Sequence, residues 1–315
     1  MAEIPAPPSE HRVQVSTYKR GFGFHPLLAF VDHGTHGTGE PLTVMLRTGR
    51  AGANTAADHI KVTADALAQL PSPASGRFGR EVLIRTDGAG GTHKFVRWLT
   101  DQQVAYSVGF GLCESTAAAV DDLPDAAWIP AIDATGTPRK GAWVAELTQV
   151  IPLKDWPEGM RVIVRAERPH PGAQLRFTDS DGHRLTAFAT NSRSSDLPEL
   201  ELRHRRRARC EDRISRRQGH RVAEPPAARF RPKQDLDRRR PTGELTAWMQ
   251  MLALAGTDGR RWEPKRLRLR LRLLWIAGKL ARRSRQTWLT LSKDAPWAAL
   301  LTAGLRRLQT RPAPT

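Results

Sequence analysis

Apolar and polar positions along the first third of the chain mark out its elements. His25–His33 is an apolar run, Gly34–Pro41 (GTHGTGEP) is a glycine-rich turn, and Leu42–Arg47 is apolar again. Together they predict a two-stranded hairpin. From Ala56 to Leu70, the residues Ile60, Val62, Ala66, Leu67 and Leu70 share one helical face. Pro71–Arg80 reads as a loop. Val82–Arg85 is a short β-branched and apolar run ending at Asp87, Gly88–Gly91 breaks it, and Thr92 caps a helix through about Gln102. Val104–Leu112 predicts a further strand. The order strand, strand, helix, strand, helix, strand predicts a mixed sheet with helices on its faces.

The pattern weakens after that. Cys113–Trp156 shows only short strand signals, around Gly141–Val150. Met160–Glu167 and Leu185–Thr190 predict strands, with the turn Asp179–His183 before the second. Leu197–Ile214 predicts a polar, arginine-rich helix. Ser215–Thr242 has little periodicity and four prolines, while Glu244–Ala255, Arg266–Arg283 and Trp297–Leu308 predict helices. Residues 1–20 are proline-rich and polar and predict poor order. No internal repeat is visible. No run of 18 apolar residues occurs, which excludes a transmembrane helix, and Met1–Pro8 lacks the layout of a signal peptide. Two cysteines, Cys113 and Cys210, with no CxxC, point to a reduced, cytoplasmic protein.

Charge changes the picture more than composition does. The 315 residues carry a net charge of +18, but from Arg203 onward there are 30 Lys/Arg against 9 Asp/Glu, and before it 20 against 23. A nearly neutral front is joined to a strongly basic back, a field that recruits a polyanion. Basic runs interleaved with tryptophans and glycines favour nucleic acid over an anionic membrane.

Several residues are candidates for chemistry. Asp87 ends a strand and is followed by glycines, which places a carboxylate at the carboxyl end of a strand, where ligands sit in open α/β sheets. A plain turn aspartate fits the same residues. Glu211 lies among Arg203, Arg205, Arg207 and Arg209, a layout that suits either helix-surface ion pairs or a metal-binding carboxylate flanked by phosphate-gripping arginines. Asp32-His33-Gly34-Thr35-His36 has metal-ligand residue types but reads as a turn, Gly37–Glu40 lacks the GK[ST] of a nucleotide loop, and Asp133 reads as a surface turn. Neither cysteine suggests a thiol enzyme. Lys265, Arg266, Arg268 and Arg270 alternate with leucines and suit a backbone-contacting, salt-sensitive element.

Four segments in order, Tyr18-Lys-Arg-Gly-Phe-Gly-Phe-His-Pro26, Gly37-Thr-Gly-Glu-Pro-Leu42, Arg85-Thr-Asp-Gly-Ala-Gly90 and Arg207-Ala-Arg-Cys-Glu-Asp-Arg-Ile214, resemble insertion-sequence transposases of the bacterial DDE type, the group-one DDE domain. The resemblance covers roughly residues 18–214 and resumes at 244–301. It implies an α/β, RNase H-like mixed sheet with a β-rich insertion and a basic helical C-terminal region. It also implies three carboxylates holding two Mg²⁺ ions that cleave phosphodiesters and transfer strands at element ends. By position, Asp87 resembles the second acid, Glu211 the third, and Arg207 the arginine of an Arg-x₃-Glu pattern. The implied partners are double-stranded DNA, both transposon ends and target, and further copies in a synaptic complex. No membrane is implied, and the implied location is cytoplasmic and nucleoid-associated.

The chain departs from the family twice. The family's first Asp lies in an Asp-Ala-Thr strand. Counted back from Ser9-Glu10 it falls at about Met1, where the chain reads Met-Ala-Glu-Ile. The first acid and its strand are therefore expected to be missing, which makes this a truncated copy of weak or no activity. Gln218 stands where the family has Lys. With GC-rich codons, Arg217–Arg221 shifted by one base reads Ala-Lys-Asp-Thr-Gly, the family's continuation, so 215–243 is expected to be out of frame. The expected organisation is 1–20 disordered or truncated, 21–112 the first part of the core, 113–196 the insertion, 197–214 the catalytic-Glu helix, 215–243 the atypical segment, and 244–315 the basic helical region. A non-catalytic basic DNA-binding protein is the alternative, and an RNA-binding protein the third.

Overall fold

A computed structural model describes residues 15–16, 22–23, 25–34, 39–48, 50–71, 78–169, 172, 179–210, 244–245, 247–262, 273, 276–283, 286–292 and 294–310. The chain divides into two compact units, Met1–Leu27 with Arg47–Ala208, and Leu28–Leu46 with Arg209–Thr315.

In the first unit, the short strands β1 (Val15–Ser16) and β2 (Phe22–Gly23) pair antiparallel. In the second unit, β3 (Leu27–Asp32) and β4 (Gly39–Met45) pair as a separate two-stranded sheet. The predicted hairpin is there, but β4 begins at Gly39, inside the stretch read as turn.

Back in the first unit, α1 (Ala56–Leu67) buries Val62, Ala66 and Leu67, all three members of the predicted face. β5 (Leu83–Thr86), α2 (His93–Asp101) and β6 (Ala105–Phe110) follow as the pattern predicts. Thr92 caps α2 through its hydroxyl, which accepts from Phe95 N at 3.4 Å. The weakly patterned stretch then holds α3 (Glu114–Asp121), β7 (Ile129–Ile132) and β8 (Pro138–Glu146). The sequence hides α3 because alanines at 117–119 give a helix little apolar contrast. β9 (Arg161–Glu167), β10 (Arg184–Thr190) and α4 (Leu197–Arg205) complete the unit.

One six-stranded sheet runs β5-β6-β10-β9-β8-β7. β5 and β6 are parallel and every other neighbour is antiparallel, so the protein is mixed α/β with a mixed sheet, consistent with an RNase H-like fold. The strands of the expected insertion join this sheet through β10 on β6. Period-two alternation sorts the side chains to two faces. Tyr106, Val108, Val162, Val164, Ala187 and Ala189 meet Phe95, Val96, Leu99 and Val120 of α2 and α3, whereas Val144, Ile163 and Phe188 on the opposite face meet Leu197 and Leu200 of α4.

The second unit centres on Leu254, Trp262 and Leu273, with Met249, Trp297 and Leu301 packed around them. Trp297 precedes α5 (Ala298–Gln309), and its ring meets Trp262 edge to face at 4.8 Å. Residues 278–283, predicted to end a helix from Arg266, instead form β11 (Gly278–Arg283), paired antiparallel with β12 (Gln286–Leu291). Glycine at 278 is a poor helix former, and Thr287, Trp288 and Thr290 favour a strand. The earlier part of that prediction, 266–272, lies outside the described residues, as does all of 215–243.

Candidate active site

Asp87 is the first residue past β5. Its backbone is extended, and its Oδ1 accepts Ala89 N–H at 3.1 Å, capping a tight turn over Gly88–Gly90. The turn lies directly on β6. A Cβ at Gly109 would sit 2.5 Å from Gly88 N and 2.7 Å from the Asp87 carbonyl carbon, and one at Gly91 would sit 2.2 Å from Gly109 O. Backbone rests on backbone here, so side chains are excluded and the height of the Asp87 loop is fixed. The carboxylate itself is exposed.

Arg85 stands two residues before Asp87 on the same face of β5. Its Nη1 donates to Arg203 O at 2.8 Å, in the last turn of α4, where orphan carbonyls accept a cation's hydrogen bond well. The strand leading to Asp87 is thereby tied to the helix leading toward Glu211. Three further contacts fix the register of α4. His204 stacks on Phe188 with centroids 4.5 Å apart and planes 7° apart, and its Nδ1 lies 2.8 Å from Ser107 Oγ. Burial pulls the His204 imidazole down to a pKa of about 3, helped by the Arg207, Arg165 and Arg85 cations. Glu201, 2% exposed, accepts from Arg165 Nη1 at 2.7 Å and Arg205 Nε at 3.1 Å. Ser107 is wholly buried, which makes the Ser107–His204 pair a fastener rather than a nucleophile and its base.

The other expected residues divide. Arg203 is half-buried, its pKa pulled down by burial and then by Arg85, and among the described residues its Nε and Nη2 have no hydrogen-bond partner. Arg205 is held by Glu201 and by Ile132 O. Arg207 is half-buried near His204. In the second unit, Arg209 lies 3.6 Å from Asp32 and donates to Gly34 O. Glu211, Lys265, Arg266, Arg268 and Arg270 lie outside the described residues. His33 faces Glu40 at 3.4 Å. Asp133 closes a surface turn, accepting from Thr135 and Thr137 backbone N–H groups and the Thr135 hydroxyl, which pull its pKa down. Cys113 caps α3, and the Ser115 and Thr116 hydroxyls bring its exposed thiol down to about 7.

Arg85, Ser107, Glu201 and His204 are the site residues that sequence reasoning missed. Two signals were present, the i,i+4 pair Glu201–Arg205 and a serine at an alternate position of an otherwise apolar strand. Among the described residues, no three His, Cys, Asp or Glu side chains converge to hold a metal. The metal donor they offer at this site is the Asp87 carboxylate, a hard oxygen ligand of the kind Mg²⁺ takes. A model of the transposase DDE domain group 1 matches residues 9–313. No curated protein matches the chain.

Proposed function

The chain belongs to the transposase DDE domain group 1 family, and from that premise we propose that it cleaves and joins phosphodiester bonds at insertion-sequence ends, with Asp87 and Glu211 as ligands of Mg²⁺. The family's business is DNA transposition, and it uses divalent metal ions. The observation that carries the residue-level reading is the setting of Asp87, an exposed carboxylate at the carboxyl end of a strand, seated by glycines whose backbone leaves no room for a side chain. Held by Asp87 and Glu211, a divalent ion would supply activation of the attacking oxygen and stabilisation of the leaving one. The protein's own contribution is to aim Asp87 through Gly109 and to hold α4 against β5 through the Arg85 bond to Arg203 O. Arg203 and Arg207, with Lys265, Arg266, Arg268 and Arg270, supply cations for backbone phosphates.

The test is nicking of supercoiled plasmid by the full chain in Mg²⁺ or Mn²⁺, with and without Asp87→Asn. We expect at most weak metal-dependent nicking that Asp87→Asn abolishes, while duplex binding stays within about twofold, because a single exposed carboxylate adds little to phosphate affinity. Nicking that survives the substitution removes Asp87 from the chemistry. Duplex binding that ignores both metal and Asp87, with no nicking by the wild type, is the behaviour of a non-catalytic DNA-binding protein.

A further inference from the structure

β11 and β12 make a two-stranded ribbon whose two faces both look outward. Cross-strand register places Lys279 opposite Thr290, Leu280 opposite Leu289, Ala281 opposite Trp288 and Arg282 opposite Thr287. Lys279, Arg282, Gln286 and Thr290 are exposed, and Trp288 and Leu280 keep 57% and 65% of their surface open. An isolated ribbon of this size is marginal in water, and a tryptophan left open on it calls for a partner. Among the described residues, neither Lys279 nor Arg282 makes an ion pair. From Gly278 to Lys293 the sequence holds five basic residues and no acid.

We propose that this ribbon seats in the major groove of duplex DNA, through the face that carries Lys279, Gln286, Trp288 and Thr290. The proposal rests on the reading of the chain as a DNA-acting protein and names a surface for it that is separate from Asp87. Charge selects the occupant, since a ribbon whose charged residues are all basic is complementary to a polyanion and repels a second copy of itself. Shape agrees with charge. Two strands about 5 Å apart make a ribbon narrow enough for a groove about 12 Å wide, and strands about 20 Å long span several base pairs. Lys279 and Arg282 lie on opposite faces, and each has the reach to meet phosphates at the groove's rim. Gln286 and Thr290 carry groups that hydrogen-bond base edges, and the Trp288 ring offers apolar area to thymine methyls.

The experiment uses the full chain and a duplex of mixed sequence, with binding titrated across salt. Lys279→Gln with Arg282→Gln makes the slope of log affinity against log salt shallower by about 1.8, because each neutralised phosphate contributes about 0.9. Affinity near 0.1 M salt falls by more than about tenfold. Trp288→Ala weakens binding about three- to tenfold and leaves the slope unchanged, because it removes an uncharged contact. All three side chains are exposed, so the melting temperature of each variant stays at the wild-type value, which separates lost binding from lost folding. If wild type binds duplex and the ribbon variants match it in affinity and slope, the ribbon proposal is overturned while the transposase reading stands. If Leu280→Thr with Leu289→Thr lowers the sedimenting mass while DNA binding is untouched, the ribbon serves self-association and the proposal is overturned. If wild type does not bind duplex at all, both readings fall together.

Discussion

His204 sits among like charges without carrying one. Its ring is pressed on Phe188, its Nδ1 meets a buried serine hydroxyl, and three arginines bear on it. In the fold the imidazole titrates at about 3, whereas in the unfolded chain it titrates near 6.5. Between those values the unfolded chain binds a proton that the folded one refuses. The contribution of His204 is therefore fully present above about pH 6.5 and is lost as pH falls toward 3, at up to about 1.4 kcal/mol per pH unit. Urea unfolding followed from about pH 7 to pH 5 should show this loss, and His204→Gln should flatten it. The residue was legible only as one letter of an arginine-rich helix. Its burial depends on Ser107 and Phe188, nearly a hundred and sixteen residues upstream respectively, and no local pattern links the three. Asp87, in contrast, was visible because strand end, carboxylate and glycines are contiguous in sequence.

At the scale of elements, α4 is a polar helix lying on a sheet. Its apolar contacts are Leu197 and Leu200 against Val144, Ile163 and Phe188, His204 adds a ring stack on Phe188 and a hydrogen bond to Ser107, and ion pairs supply much of the rest. Glu201 is the hinge of that attachment, because it neutralises Arg165 from β9 and Arg205 from its own helix at 2% exposure. Glu201→Ala leaves Arg205 without its carboxylate and Arg165 with Glu167 alone, and we expect a loss of about 3 kcal/mol in chemical denaturation. Leu197–Ile214 was expected as a helix of one character. The structure divides it at Arg205, where a 3-10 turn over Arg206–Ala208 follows. Amphipathic periodicity is a weak guide for such a helix, since the residues that dock it are charged. The first strand of the ribbon, residues 278–283, was expected as the end of a helix for a related reason. Basic and leucine residues alternating upstream of it fit a strand as well as a helix, and the antiparallel partner that decides between them comes later in the chain.

At the scale of the whole molecule, the basic residues after Arg203 dominate how the chain meets its surroundings. An excess of this size makes duplex binding fall steeply with salt, with little preference among sequences. A titration from about 0.1 M to 0.3 M salt should lower affinity by more than tenfold on unrelated duplexes, and omitting Mg²⁺ should not rescue it. That field was legible in composition, and the family in four short motifs. The strand order was not. The run β5-β6-β10-β9-β8-β7 brings strands some eighty residues apart into register, and such pairings leave no trace in local periodicity.

The strand order has a consequence for motion. Among the described residues, β5 closes one end of the six-stranded ladder and, at four residues, is among its shortest members, with hydrogen bonds to β6 on one side. Freeing β9 or β10 requires two ladders to break, but freeing β5 requires only one. Its amides therefore open to solvent at a lower free energy than those of the central strands. The carboxylate offered for chemistry rides on a part of the sheet that breathes, and the glycine contacts with Gly109 are what return it to the same place after each opening.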